Sequence, residues 1–171
     1  MRKMVKEAGN IDYWLDAIKK PYEETNMKDG FIKVAAATPK IKTADTEHNT
    51  IAIIDAIKEA TEHGAKVIVL PELVITGYTC NDLFLQSTLL KDAEKSLVKI
   101  AEATKKSDAI CFVGLPYVYG GKLYNVAAVI QKGQVLALIP KKYMPNYSEF
   151  YEVRHFTPGS ENVSVAEIAG T

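Results

Sequence analysis

Between two helical patterns this chain sets a short run, Val67-Ile68-Val69-Leu70, that is wholly apolar and rich in β-branched side chains. A run of that kind suits a strand buried on both faces, which needs helices on its flanks and other strands at its sides. The preceding segment supplies a helix: Asp45 offers an N-cap, Ile51, Ile54, Ile57 and Ala60 share one apolar face, and Gly64 closes it just after His63. Phe31 to Ala37 reads as an earlier strand. Past Gly77 the pattern predicts a short helix near Asp82 to Leu90, then an amphipathic one from about Asp92 to Lys106 carrying Leu97, Ile100, Ala101 and Ala103 inward. Ala109 to Leu115, Leu123 to Gln131 and Gln134 to Pro140 then read as strands. Gly120-Gly121 and Lys132-Gly133 separate them and suit hairpin turns. Strand, helix, strand, helix and then a meander of strands predicts an α/β layered sheet rather than a helical bundle or a sandwich.

At 171 residues, 47% of them hydrophobic, the chain has material for one sizeable core. Residues 1–26 mix charge and aromatics without a clean period, and Met27 resembles a second start. We expect 1–26 to be an appended extension and 27–171 to form the domain, although Ile11, Trp14, Leu15 and Ile18 have the spacing of a surface-packed helix. Val163 to Ile168 alternates like a further strand close to Thr171, so the domain is expected to continue past the end of the chain. Twenty-one basic residues balance 21 acidic ones, which gives no field to recruit nucleic acid or an anionic membrane. No apolar run approaches the roughly 20 residues of a membrane span, and a cytoplasmic location is the expectation. Cys80 and Cys111 lack the paired spacing of a zinc site or a disulfide framework, so two reduced thiols and no metal are expected.

Two segments stand out chemically. Glu72 follows the Val67–Leu70 strand at its carboxyl end, behind Pro71, and in layered α/β folds ligands bind outside the carboxyl ends of strands. Lys141 follows Gln134 to Pro140 in the same way, with Tyr143, Tyr147, Phe150 and Tyr151 to wrap it in apolar surface and Glu149 and Glu152 as acidic partners. Taken alone, Glu72 reads equally as a turn residue pointing to water, and a Lys141-Lys142 pair is most often a solvated strand end. Together they supply a buried acid beside a buried ammonium, a pair that is costly to desolvate and that suits a base next to a fixed positive charge.

Pro71-Glu72-Leu73 with Thr76-Gly77-Tyr78, the Asn81-Asp82-Leu83-Phe84 that follows, and Pro140-Lys141-Lys142-Tyr143-Met144-Pro145-Asn146-Tyr147 with Glu149-Phe150-Tyr151-Glu152 resemble the nitrilase, or carbon-nitrogen hydrolase, superfamily. Within it, the stretch from Phe31 to Thr171 is most similar to the glutaminase domain of glutamine-dependent NAD synthetases. The resemblance implies a nitrilase-like α-β-β-α layered sandwich, here lacking its C-terminal strands, and an amidase that works through a cysteine thioester. It implies Glu72 as the base, Lys141 at the oxyanion, Glu149 as a second acid orienting the lysine, and Tyr78 and Tyr147 lining a glutamine pocket. The family's nucleophilic cysteine lies beyond Lys141, and no cysteine follows Cys111. The nucleophile is therefore expected to be absent, and the chain to be inactive as it stands.

Glutamine is the implied substrate, and association of copies is expected because an unpaired edge near Gln134 would otherwise stay open. The glutaminase portion needs no cofactor; ATP and magnesium are expected only for a synthetase domain not on this chain. Two alternatives remain: a non-catalytic nitrilase-fold assembly module, and an amidase for another small amide. A Cys-His hydrolase using Cys80 with His48, His63 or His155 is disfavoured, because the first two histidines fit helix surfaces and the third a polar loop.

Overall fold

The structure is a computed structural model that describes residues 30–147, 151–160 and 165–169. The chain divides into two compact units, Met1–Phe31 and Ile32–Thr171. The first lies almost wholly outside the described residues, and with it the expected extension 1–26.

The second unit is built on one sheet of five strands in the order β1-β2-β3-β4-β5: β1 (Val34–Ala36), β2 (Val67–Val69), β3 (Ile110–Tyr119), β4 (Lys122–Gln131) and β5 (Gln134–Pro140). The first three strands pair in parallel and the last three antiparallel. Helix α1 (Thr46–Glu62) joins β1 to β2, and α2 (Ser87–Ala103) precedes β3. Asp45 caps α1 by accepting the His48 N–H at 3.0 Å, an interaction worth about 1 kcal/mol. Both hairpins turn through positive φ, at Gly120 and Gly121 and at Lys132 and Gly133, as the twist of paired strands favours.

The two helices cover one face of the sheet. Ile53, Ile57, Leu97 and Ile100 pack with Ile68, Cys111, Val113, Ala128 and Ile130 in a single buried cluster. Each such aliphatic side chain contributes roughly 1.5–3 kcal/mol by leaving water. The opposite face carries a row in register, Ala36, Val69, Phe112, Val129 and Ala137, and no helix among the described residues lies on it.

Four expectations need correction. Val69 is 46% exposed, because the helices shield β2 from one side only and not from both. The helix predicted in two pieces around Leu90 is one: Leu89, Ala93, Leu97 and Ile100 repeat at helical spacing through the supposed break, and the short piece before it is a 3-10 stretch (Tyr78–Leu85). Ile51 is exposed, since 3.6 residues per turn put it opposite Ile53, while Asn49 and Thr50 are buried in its stead; Ala103 is exposed likewise and Thr104 buried. Among the described residues 165–169 there is no strand.

Candidate active site

The parallel ladder ends at Val69, and the chain then arches over β3. Leu70 N–H still reaches Phe112 O (3.0 Å), and Ile75 N–H rejoins at Gly114 O (3.2 Å). Between them Leu73 takes a positive φ of 52° and sinks, fully buried, among Cys80, Phe84, Leu89 and Phe156. With Leu73 pinned beneath, Glu72 is turned toward the open face of the sheet.

On the other side, Lys141 leaves the end of β5 with its backbone held twice: its N–H donates to Asn125 O (2.8 Å), and its carbonyl accepts from Gly159 N–H (2.8 Å). The two side chains meet. Lys141 Nζ donates to Glu72 Oε1 at 2.7 Å and to Glu152 Oε1 at 2.9 Å. Asn125, nearly fully buried on β4, donates from Nδ2 to the same Glu72 Oε1.

Glu152 is the buried acid of the set, its side chain 5% exposed against 38% for Glu72 and 28% for Lys141. It opens a short 3-10 turn (Glu152–Arg154) fastened to the stretch after Gly77: Arg154 pairs with Asp82 at 2.9 Å, and Phe156 packs edge-on against Phe84 at 4.9 Å. Tyr78 completes the arrangement by donating its hydroxyl to Glu152 Oε1 at 2.8 Å. Glu152 Oε2 is buried with no partner among the described residues.

The electrostatics follow from these contacts. Burial pulls the Lys141 ammonium down, but hydrogen bonds and charge from Glu72 and Glu152 outweigh it and hold its pKa above the ordinary lysine value. Burial, the hydrogen bond to Glu152 and the two carboxylate charges all push the Tyr78 phenol up. A cleft of about 490 Å³ opens beside the pair, floored by Val69, Phe112, Gly114, Ala127 and Ile139 and rimmed by Glu72, Asn125 and Lys141. A carboxylate and an ammonium at the edge of an apolar hollow can accept a proton and stabilise a nearby negative charge in one place.

Glu72, Lys141 and Tyr78 are thus brought together. Glu149 lies outside the described residues; among these, the acid that joins Glu72 on Lys141 is Glu152. Tyr147 is largely exposed, as are Tyr143 and Tyr151, so these three do not wrap Lys141 as expected, and Phe150 lies outside the described residues; Lys142 sits over the Tyr143 ring, 5.7 Å from its centroid. Gly114, Asn125 and Glu152 were not picked out as site residues. A polar side chain and a glycine in the interiors of apolar strands were the available signals for the first two.

Neither thiol is placed for attack. Cys111 lies in the core and burial pushes it up to about 11. Cys80 is buried too, its pKa raised by burial, and its Sγ donates to Thr76 O at 3.1 Å. His155 lies in the turn that ends Glu152–Arg154, its ring beside Phe84 with centroids 5.9 Å apart and its Nε2 3.8 Å from Asp82 Oδ1.

The model of the carbon-nitrogen hydrolase family matches residues 33–171. The glutamine-dependent NAD(+) synthetase of Mycobacterium bovis is 35% identical over 141 residues, covering 82% of this chain and 21% of that protein. Among solved structures, a glutamine-dependent NAD(+) synthetase from Cytophaga hutchinsonii superposes with a TM-score of 0.73 at 33% identity, covering 78% of this chain and 23% of that one. An amidase from Nesterenkonia sp. superposes with a TM-score of 0.64 at 25% identity, covering 81% of this chain and 52% of that one. The chain spans only about a fifth of the curated relatives it matches first. With a family match running from the first strand through both charged segments, the chain belongs to the carbon-nitrogen hydrolase family.

Proposed function

We propose that residues 32–171 are the base-and-ammonium part of a glutamine amidohydrolase domain that supplies ammonia for NAD(+) synthesis. The observation that carries this is the sharing of Lys141 Nζ between Glu72 and Glu152 at the rim of an apolar cleft. The similarity to glutamine-dependent synthetases supports glutamine as the amide.

In this scheme Glu72 takes the proton of a thiol as its sulfur attacks the side-chain amide carbon of glutamine. Lys141 holds its ammonium against the resulting oxyanion. When the C–N bond breaks, Glu72 passes the proton to the departing nitrogen and ammonia leaves; water then cleaves the thioester, releasing glutamate and restoring the thiol. Glu152 fixes the lysine, and Tyr78 fixes Glu152. Neither Cys80 nor Cys111 supplies the thiol in this scheme, since both are buried away from the cleft that Glu72 and Lys141 rim, and Cys80 Sγ donates to Thr76 O. ATP and magnesium belong to the synthetase step and find no role in these residues.

To test this, residues 32–171 replace the matched segment of the Mycobacterium bovis relative, and NAD(+) formation is followed with glutamine or with ammonia as nitrogen source. Glutamine-driven synthesis should persist, and Glu72→Gln or Lys141→Met should each lower it by about a thousandfold. Ammonia-driven synthesis should be unchanged, which controls for folding. The 171-residue chain alone should release no ammonia from glutamine. Turnover by that chain, abolished by Cys80→Ala, refutes the scheme, and so does a chimera whose glutamine rate ignores both substitutions.

A further inference from the structure

We infer that Gly114 is a positioning residue of the Glu72–Lys141 pair: the space left by its missing side chain is where the Pro71-Glu72-Leu73 backbone lies, and that contact sets where the Glu72 carboxylate stands over the sheet. The catalytic meaning of this rests on the glutaminase scheme, while the contact does not.

The chain from Leu70 to Ile75 spans only the step from Phe112 to Gly114 on β3, so it must arch, and the arch comes down on Gly114. A Cβ at Gly114 would fall against Leu73 N, 2.6 Å from Pro71 O and 2.9 Å from the Glu72 carbonyl carbon. All three obstructing atoms are backbone, so no rotamer change makes room.

Nor does the dihedral of Gly114 call for glycine. Gly30, Gly64, Gly77, Gly120, Gly121 and Gly133 have positive φ, and Gly114 does not. A glycine inside a strand weakens it relative to alanine, and here the close approach is what the residue permits. The far end of the arch is fixed as well, because Leu73 is held in the left-handed region with its side chain buried.

Pushed away by a methyl group, the arch must shift by several tenths of an ångström or more. The 2.7 Å contact from Lys141 Nζ to Glu72 Oε1 and the Asn125 hydrogen bond to that oxygen tolerate little displacement. The carboxylate would leave both donors, and of the two described acids Lys141 would keep Glu152.

The titration of the Lys141 ammonium, followed by 13C NMR at Cε in the folded 171-residue chain, reads this directly. Glu72→Gln should shift it downward, since a charged partner is lost. Gly114→Ala, in a chain still folded by circular dichroism, should produce a downward shift as well, smaller because the displaced carboxylate keeps its charge, and the double variant should go no lower than Glu72→Gln. General loss of stability does not move the titration of the folded population.

If Gly114→Ala does not fold, Pro71→Gly/Gly114→Ala against Pro71→Gly makes the same comparison with a loosened arch. A wild-type titration in Gly114→Ala, additive shifts, or failure of both glycine-114 variants to fold overturns the inference; in the last case the glycine serves the fold and not the pair. A chimera inactive with glutamine leaves this comparison standing, so the two readings fail separately.

Discussion

Among the described residues Lys141 has two acidic partners in unlike surroundings, and the difference decides which of them stability depends on. Glu72 sits at the rim with its side chain 38% exposed, where an ion pair contributes at most about 1 kcal/mol. Both acids accept from two donors, Glu72 from Lys141 and Asn125 and Glu152 from Lys141 Nζ and Tyr78 Oη. But Glu152 is 6% exposed, so truncating it strands its donors away from water, whereas the open cleft lets water take the place of Glu72. Glu152→Ala should destabilise the chain by on the order of 1–3 kcal/mol, and Glu72→Ala by clearly less, as read from urea midpoints at neutral pH. Equal costs would mean that the buried contact is not formed. Glu72 and Lys141 were legible in the sequence because each follows an apolar strand at its carboxyl end. Glu152 was not singled out from Glu149, since the segment that carries both has no helical or strand period to show that Glu152 turns inward.

Where a period exists, the elements follow it. β5 has the predicted bounds, Gln134–Pro140, because a run of apolar residues between a Lys-Gly turn and a proline leaves little choice of register. The predicted break in α2 failed because no proline or glycine stands between Ser87 and Ala103 to make one, and the turn before it depends on Asn81 at φ 49°, which a helical window does not register. The Lys132-Gly133 turn offers an element-scale test. Both residues have positive φ, 50° and 82°, as a type I′ turn demands, and lysine gains nothing from that conformation. Lys132→Asn should therefore stabilise the chain by about 0.5–1 kcal/mol, visible as a higher thermal midpoint. Gly133→Ala should lower the midpoint, because its Cβ would press on the Lys105 side chain at a backbone angle unsuited to alanine. A Lys132→Asn variant no more stable than wild type would show that the hairpin tolerates the strain at no cost.

Across the whole molecule, the helices bury one side of the sheet and the strand ends gather charge on the other, and this leaves a common signature in the titratable groups. Burial raises Cys80, Cys111, Tyr78 and Tyr117, and the two glutamates more than offset burial in raising Lys141. In every case the folded chain holds the proton more tightly than the unfolded one. Their contribution is complete below the ordinary values, 9.0 for cysteine, 10.0 for tyrosine and 10.5 for lysine, and is lost as pH climbs from those values through the raised ones. Asp108 is held low by its hydrogen bond to Lys66, but it titrates at the acid end and cannot compensate. Urea midpoints should therefore stay level near neutrality and fall progressively above about pH 9, as the unfolded chain begins to release thiol protons that the folded chain keeps. Cys80→Ala/Cys111→Ala should flatten the first part of that decline, and Lys141→Met should flatten the last. A midpoint constant up to pH 10.5 in the parent chain would mean that the thiols, phenols and ammonium meet the same surroundings folded and unfolded, which the packing around Cys111 and the contacts of Lys141 do not allow.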